Sequence, residues 1–114
     1  MSPAVDEAVL RALLDDMGGD VEVVKELVQS YLGEAPRLLA EARQALAAAD
    51  ALTLQRAAHT LKSTSATFGA LQLAEASKAI EQAARGGKLA TAEQLADLEA
   101  QFEGARKELV GRLR

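Results

Sequence analysis

The sequence predicts an all-α protein: an up-down-up-down four-helix bundle with a short additional N-terminal helix. The composition is rich in alanine, leucine, glutamate and arginine, with only two prolines and three aromatic residues, a mixture that favours helix. Apolar residues recur at alternating three- and four-residue steps, and no stretch shows the period-2 alternation of a strand. Gly18-Gly19, Asp50, Gly69 and Gly86-Gly87 cut the chain into periodic blocks. Long blocks joined by short turns fold back on one another as a bundle, and the short first block is left to cover one end or edge.

The first block places Val9, Leu10, Leu13 and Leu14 on one side. Asp20 can cap the second, which carries Val24, Leu27, Val28, Tyr31, Leu32, Ala35, Leu38, Leu39, Ala42, Leu46 and Ala49 as a continuous stripe. Pro36 interrupts it, costs one backbone hydrogen bond and bends the axis. Asp50 can cap the third block, which ends at Gly69 as a left-handed C-cap. The fourth buries Leu73, Ser77, Ile80 and Ala84. Thr91 with Gln94 is a capping-box signature for the fifth, which buries Leu95, Leu98, Phe102, Leu109 and Leu113. Glu81 with Arg85 and Glu103 with Lys107 have the four-residue spacing of exposed ion pairs. No linker or repeat divides residues 1–114, so one domain is expected, with helices at about 6–17, 20–48, 51–68, 70–85 and 91–113.

A chain of 114 residues can bury one core without staples. Without cysteine, disulfides, zinc-thiolate sites and thiol catalysis are excluded. The net charge of −4 argues against nucleic acid as a partner. No signal-peptide pattern is present, and no apolar run approaches the roughly 18 residues of a membrane span. The expectation is a cytoplasmic monomer with no direct membrane insertion.

His59 is the only histidine. With about 100° between successive helical residues, Leu54, Ala57, Ala58, Thr64, Ser65 and Phe68 fall within about 60° of Leu61, the centre of the buried face. His59 falls about 160° away, beside Ser63 and Ala66, with Lys62 one turn along. A lone surface histidine is often inconsequential. A metal site has no second histidine or cysteine to share the ion, and no nucleophile elbow marks a hydrolase. What remains is the imidazole as nucleophile. The Lys62 ammonium is expected to favour the uncharged ring and to stabilise negative charge added to it, for which a phosphoryl group is the obvious candidate. Ser63 and Ala66, being small, leave room for another protein's active site. Gly86-Gly87-Lys88 lacks the hydroxyl residue, upstream glycine and preceding strand of a phosphate loop and reads as a helix–helix turn. Asp15, Asp16 and Asp20 lack calcium-loop spacing and read as helix-end solvation.

The run Ala58 to Ala70 resembles the signature of histidine-containing phosphotransfer domains of multistep two-component phosphorelays, approximately Ala-His-x-Leu-Lys-Gly-x-Ser-x-x-Phe/Leu-Gly-Ala. His59, Leu61, Lys62, Ser65, Phe68, Gly69 and Ala70 match in register, while Ser63 stands where the family usually has glycine. Leu73-Ala74-Glu75 to Ile80-Glu81, followed by Gly86-Gly87, resembles the family's fourth helix. The resemblance implies a phosphocarrier that accepts a phosphoryl group on His59 from a receiver-domain aspartate and passes it to another receiver. It implies no autonomous kinase activity and no cofactor in this chain, with Mg²⁺ in the partner receiver and hybrid sensor kinases and response regulators as partners. It also implies a polar side chain from the fourth helix that orients the imidazole, either Glu81 or Gln82. Exposed residues of the first helix and the start of the second are expected to join the docking face. Two alternatives stand: the phosphorylatable N-terminal domain of a chemotaxis-type kinase, and a helical adaptor that takes no phosphate.

Overall fold

In the computed structural model, residues 3–113 are described, and they form five helices: α1 (Glu7–Asp16), α2 (Val21–Ala47), α3 (Ala51–Thr67), α4 (Leu71–Arg85) and α5 (Ala92–Arg112). The caps set these bounds. Asp6, Asp20 and Asp50 each accept a backbone N–H of the first turn, and Thr91 with Gln94 completes a reciprocal capping box. Helices α2, α3, α4 and α5 touch in ring order, with α5 closing on α2 and α1 lying against α2 and α3. The 27 residues of α2 span about 40 Å at ~1.5 Å per residue, which accounts for the 43 Å long axis of the molecule.

The core follows the stripes of the four long helices. Leu54, Leu61, Leu73, Leu98 and Leu109 are almost wholly buried, and Tyr31 stacks on Phe68 at 4.9 Å and meets Phe102 edge-on at 6.0 Å. Pro36 lies on the exposed side of α2, which continues through it unbroken. A missing N–H on the solvent side frees a carbonyl that water can satisfy.

Two members of the expected α2 stripe lie elsewhere. Leu27 is exposed, one residue off the seam marked by Val28. Ala49 is also exposed, because α2 ends at Ala47 and Ala49 takes a left-handed conformation (φ 54°) in the turn. There Ala49 and Asp50 donate their N–H groups to Leu46 and Ala45, a Schellman ending, and Ala45 fills the core position instead. On α5, Glu103 pairs with Arg106 rather than Lys107, since three-residue spacing serves an ion pair as well as four.

Helix α1 buries no residue of its own. It is held by the segment before it, which the periodicity did not mark. Val5 is fully buried, Ala4 and Val5 donate backbone N–H groups to the Glu108 carboxylate at 2.6 and 3.1 Å, and Asp6 donates to the Gly69 carbonyl at 2.9 Å. Gly69 therefore does more than end α3. Its φ is 80°, and a Cβ there would lie 2.8 Å from the Asp6 carbonyl oxygen. Only glycine meets both requirements.

Candidate functional site

Asp50 starts α3 with two bonds to Thr53, at 3.0 Å from its N–H and 2.7 Å from its hydroxyl. From that start the helix turns Leu54, Ala57, Ala58, Leu61 and Ser65 inward. The opposite side carries His59, whose side chain is 60% exposed, with Ser63 and Ala66 exposed on the turns that follow. Helix α4, packed along α3, buries Leu73, Ser77, Ile80 and Ala84, and with them Glu81, whose side chain is only 2% exposed.

Glu81 is the centre of the site. Its Oε1 accepts from Lys62 Nζ at 2.6 Å, while Oε2 lies 2.6 Å from His59 Nδ1 and accepts from Arg85 at 3.1 Å. The Lys62 ammonium holds the Glu81 carboxyl below its ordinary range, the His59 bond acts in the same direction, and burial opposes them both. The carboxylate is thus ionised and can only accept, so the proton of the neutral imidazole resides on Nδ1. The lone pair is then on Nε2, the ring nitrogen that Glu81 leaves free.

Lys62, expected one turn along with its ammonium within reach of the ring, shares the Glu81 carboxylate with His59. Its ammonium is turned to Glu81, so an anion rather than a cation contacts the imidazole. Of the two α4 candidates, Glu81 reaches His59, whereas Gln82 is exposed and does not. The helical wheel could have separated them. Taking the stripe of Leu73, Ser77, Ile80 and Ala84 as reference, Glu81 falls roughly 70° from its centre and Gln82 roughly 170°. Two arginines join the site. Arg85 forms the four-residue pair with Glu81 expected from the sequence, although Glu81 is buried rather than exposed. Arg56 carried no sequence signal. Arg56 and Arg85, with Gln55, Thr60, His59 and Glu81, line an open cavity of about 350 Å³.

A second buried polar pair lies further along α3. The Tyr31 hydroxyl and Ser65 Oγ are 2.8 Å apart, and burial raises the Tyr31 phenol above its ordinary range while the Ser65 bond partly offsets it.

A bundle of antiparallel helices with one outward imidazole, backed by a buried carboxylate on the next helix, is the architecture of a histidine phosphotransfer module. The family follows from comparison: the Hpt domain model matches residues 26–113, and the chain belongs to that family. The crystal structure of histidine-containing phosphotransfer protein B (HptB) from Pseudomonas aeruginosa PAO1 superposes with a TM-score of 0.88 at 28% identity, covering 99% of this chain and 96% of that one. The HPT domain of a sensor hybrid histidine kinase from Shewanella shares the fold, with a TM-score of 0.75 at 16% identity and 91% of each chain covered. A search of curated proteins gave no match. The role of the chain is histidine phosphotransfer in phosphorelays.

Proposed function

We propose that His59 is the phosphoryl acceptor and that this chain carries the group between receiver-domain aspartates without kinase activity of its own. The 2.6 Å contact between His59 Nδ1 and the buried Glu81 carboxylate carries this reading. Nε2 attacks the phosphorus of an aspartyl phosphate in line. The N–P bond forms, the O–P bond breaks, and the receiver carboxylate leaves with the electron pair. The ring gains positive charge as it attacks, and Glu81 against Nδ1–H offsets that charge while fixing the ring. Lys62 keeps Glu81 ionised and in place, so both act on the reaction through the imidazole.

Mg²⁺ in the receiver would supply charge neutralisation at the phosphoryl oxygens. This chain supplies a positioned nucleophile and a face to dock against. The face includes Ser63 and Ala66, small enough to admit a partner, and Leu52, which is 55% exposed and lies two turns before His59 on the same side. Met17, Val21 and Leu27 are further exposed apolar side chains at the α1–α2 end, where receivers and hybrid sensor kinases would extend the contact. Among the described residues no helix is long and apolar enough to cross a membrane. A cytoplasmic monomer meeting its partners transiently suits this role.

The test is transfer from a pre-phosphorylated receiver domain to the wild type and to His59→Gln. Label that appears on the wild type alone, is lost in acid and survives alkali is expected. If only an ATP-loaded kinase domain labels the chain, the chemotaxis-type alternative is correct. Receivers that bind without labelling it would make it an adaptor.

A further inference from the structure

The site holds more positive charge than Glu81 uses. Lys62 and Arg85 are both bonded to Glu81, and Arg56 forms no ion pair among the described residues. Arg56 is exposed and lines the same cavity as His59 and Arg85. Its attraction to Asp50 is minor, because that carboxylate is engaged with Thr53. With the imidazole uncharged, three cations face one carboxylate and leave two positive charges around the ring. A phosphoryl group adds about −2 at neutral pH.

Position supports the match. Arg56 lies three residues before His59, so their Cβ atoms are about 5–6 Å apart on one helix face. Arg85 approaches from α4, one turn beyond Glu81. Arg56 and Arg85 thus line the cavity from different helices, together with Gln55 and Thr60. A planar guanidinium suits paired phosphoryl oxygens.

We propose that Arg56 is a positioning residue for the phosphorylated state: its guanidinium holds the phosphoryl oxygens on His59 Nε2 and slows loss of the group to water. Arg85 remains on Glu81, and Arg56 is the cation released from other duties. Hydrolysis passes through a loose transition state in which the leaving phosphoryl sheds oxygen charge. A cation fixed on those oxygens stabilises the carrier more than that transition state and lengthens its life.

This inference rests on His59 as acceptor, and the experiment separates the two claims. The full chain is phosphorylated with phosphoramidate, a small donor that needs no partner: Nε2 bonds to phosphorus as ammonia departs. The phosphohistidine half-life is then followed by ³¹P NMR in the wild type, Arg56→Ala and Arg56→Lys. Arg56→Ala is expected to shorten it by about three- to fivefold, the range of an exposed charge contact, and Arg56→Lys to recover part of the loss. Equal half-lives in the wild type and Arg56→Ala overturn the role of Arg56 while His59 stands. An alanine effect that lysine does not relieve also overturns it, since lost packing would then be the cause. No label on His59 overturns the acceptor assignment and this inference with it.

Discussion

Tyr31 and Glu81 both bring buried polar atoms to α3, Tyr31 from α2 and Glu81 from α4, but their partners differ in kind. The Tyr31 hydroxyl meets Ser65, itself fully buried, and the pair is uncharged and closed to solvent. Glu81 is as deeply buried yet ionised, and its partners His59, Lys62 and Arg85 are between 30% and 62% exposed. Burying a charge costs several kcal/mol unless its partners are well placed. A bundle that needed only stability would gain as much from a leucine at that position. The Tyr31–Ser65 pair specifies how α2 lies on α3, whereas Glu81 spends stability to hold a surface imidazole in one orientation.

The largest effect expected from breaking this contrast is on transfer. Glu81→Leu should lower phosphorylation of His59 by a phosphorylated receiver by about 10- to 100-fold, the worth of a hydrogen bond to a charged group. Its urea midpoint should hold or rise, because the cations left behind can turn to water. Ser65→Ala should do the reverse. It strands the buried Tyr31 hydroxyl at a cost of about 1–3 kcal/mol, read as a lower urea midpoint, and leaves the transfer rate close to the wild type. Tyr31→Phe added to Ser65→Ala should recover most of that loss, since neither hydroxyl is then unpaired.

The two sites also titrate from opposite ends. The Glu81 carboxyl is lowered from 4.5, so its contribution is complete above that value and is lost as pH falls through the lower folded-state value. The Tyr31 phenol is raised from 10.0, so the unfolded chain releases that proton first and stability falls as pH rises above 10.0. Urea midpoints against pH should therefore lose the acid-side slope due to Glu81 in Glu81→Gln, and the alkaline-side slope due to Tyr31 in Tyr31→Phe. The smallest effect belongs to Gln82→Ala. That exposed side chain should change transfer by less than about twofold and stability by less than about 0.5 kcal/mol.

Much of this was legible beforehand for physical reasons. The Asp20 and Asp50 caps, the Thr91–Gln94 box and the turn at Gly69 are local signals, and the structure reproduces each, as it does the helix stripes apart from Leu27 and Ala49. The outward direction of His59 needed only the wheel and Leu61. What escaped depends on contacts between segments distant in sequence. Val5 is buried because Glu108, more than a hundred residues away, accepts the N–H groups of Ala4 and Val5, and no periodicity announces such a pairing. The wheel of α3 set Lys62 one turn from His59 but could not show what it bonds. Its partner is the buried Glu81 carboxylate on α4. The four-residue spacing already set Arg85 beside Glu81, but that Arg56 meets them depends on the packing of α3 on α4, which a wheel drawn for either helix cannot show.

The most direct test of His59 held by Glu81 is to find which ring nitrogen bears the phosphorus. The ¹⁵N-labelled chain, phosphorylated by a receiver, should show ³¹P–¹⁵N coupling to Nε2 of His59, with Nδ1 bound to hydrogen in the free protein. Phosphorus on Nδ1, or a free ring protonated on Nε2 instead, would contradict the account, because Glu81 would then not be the group that orients the nucleophile.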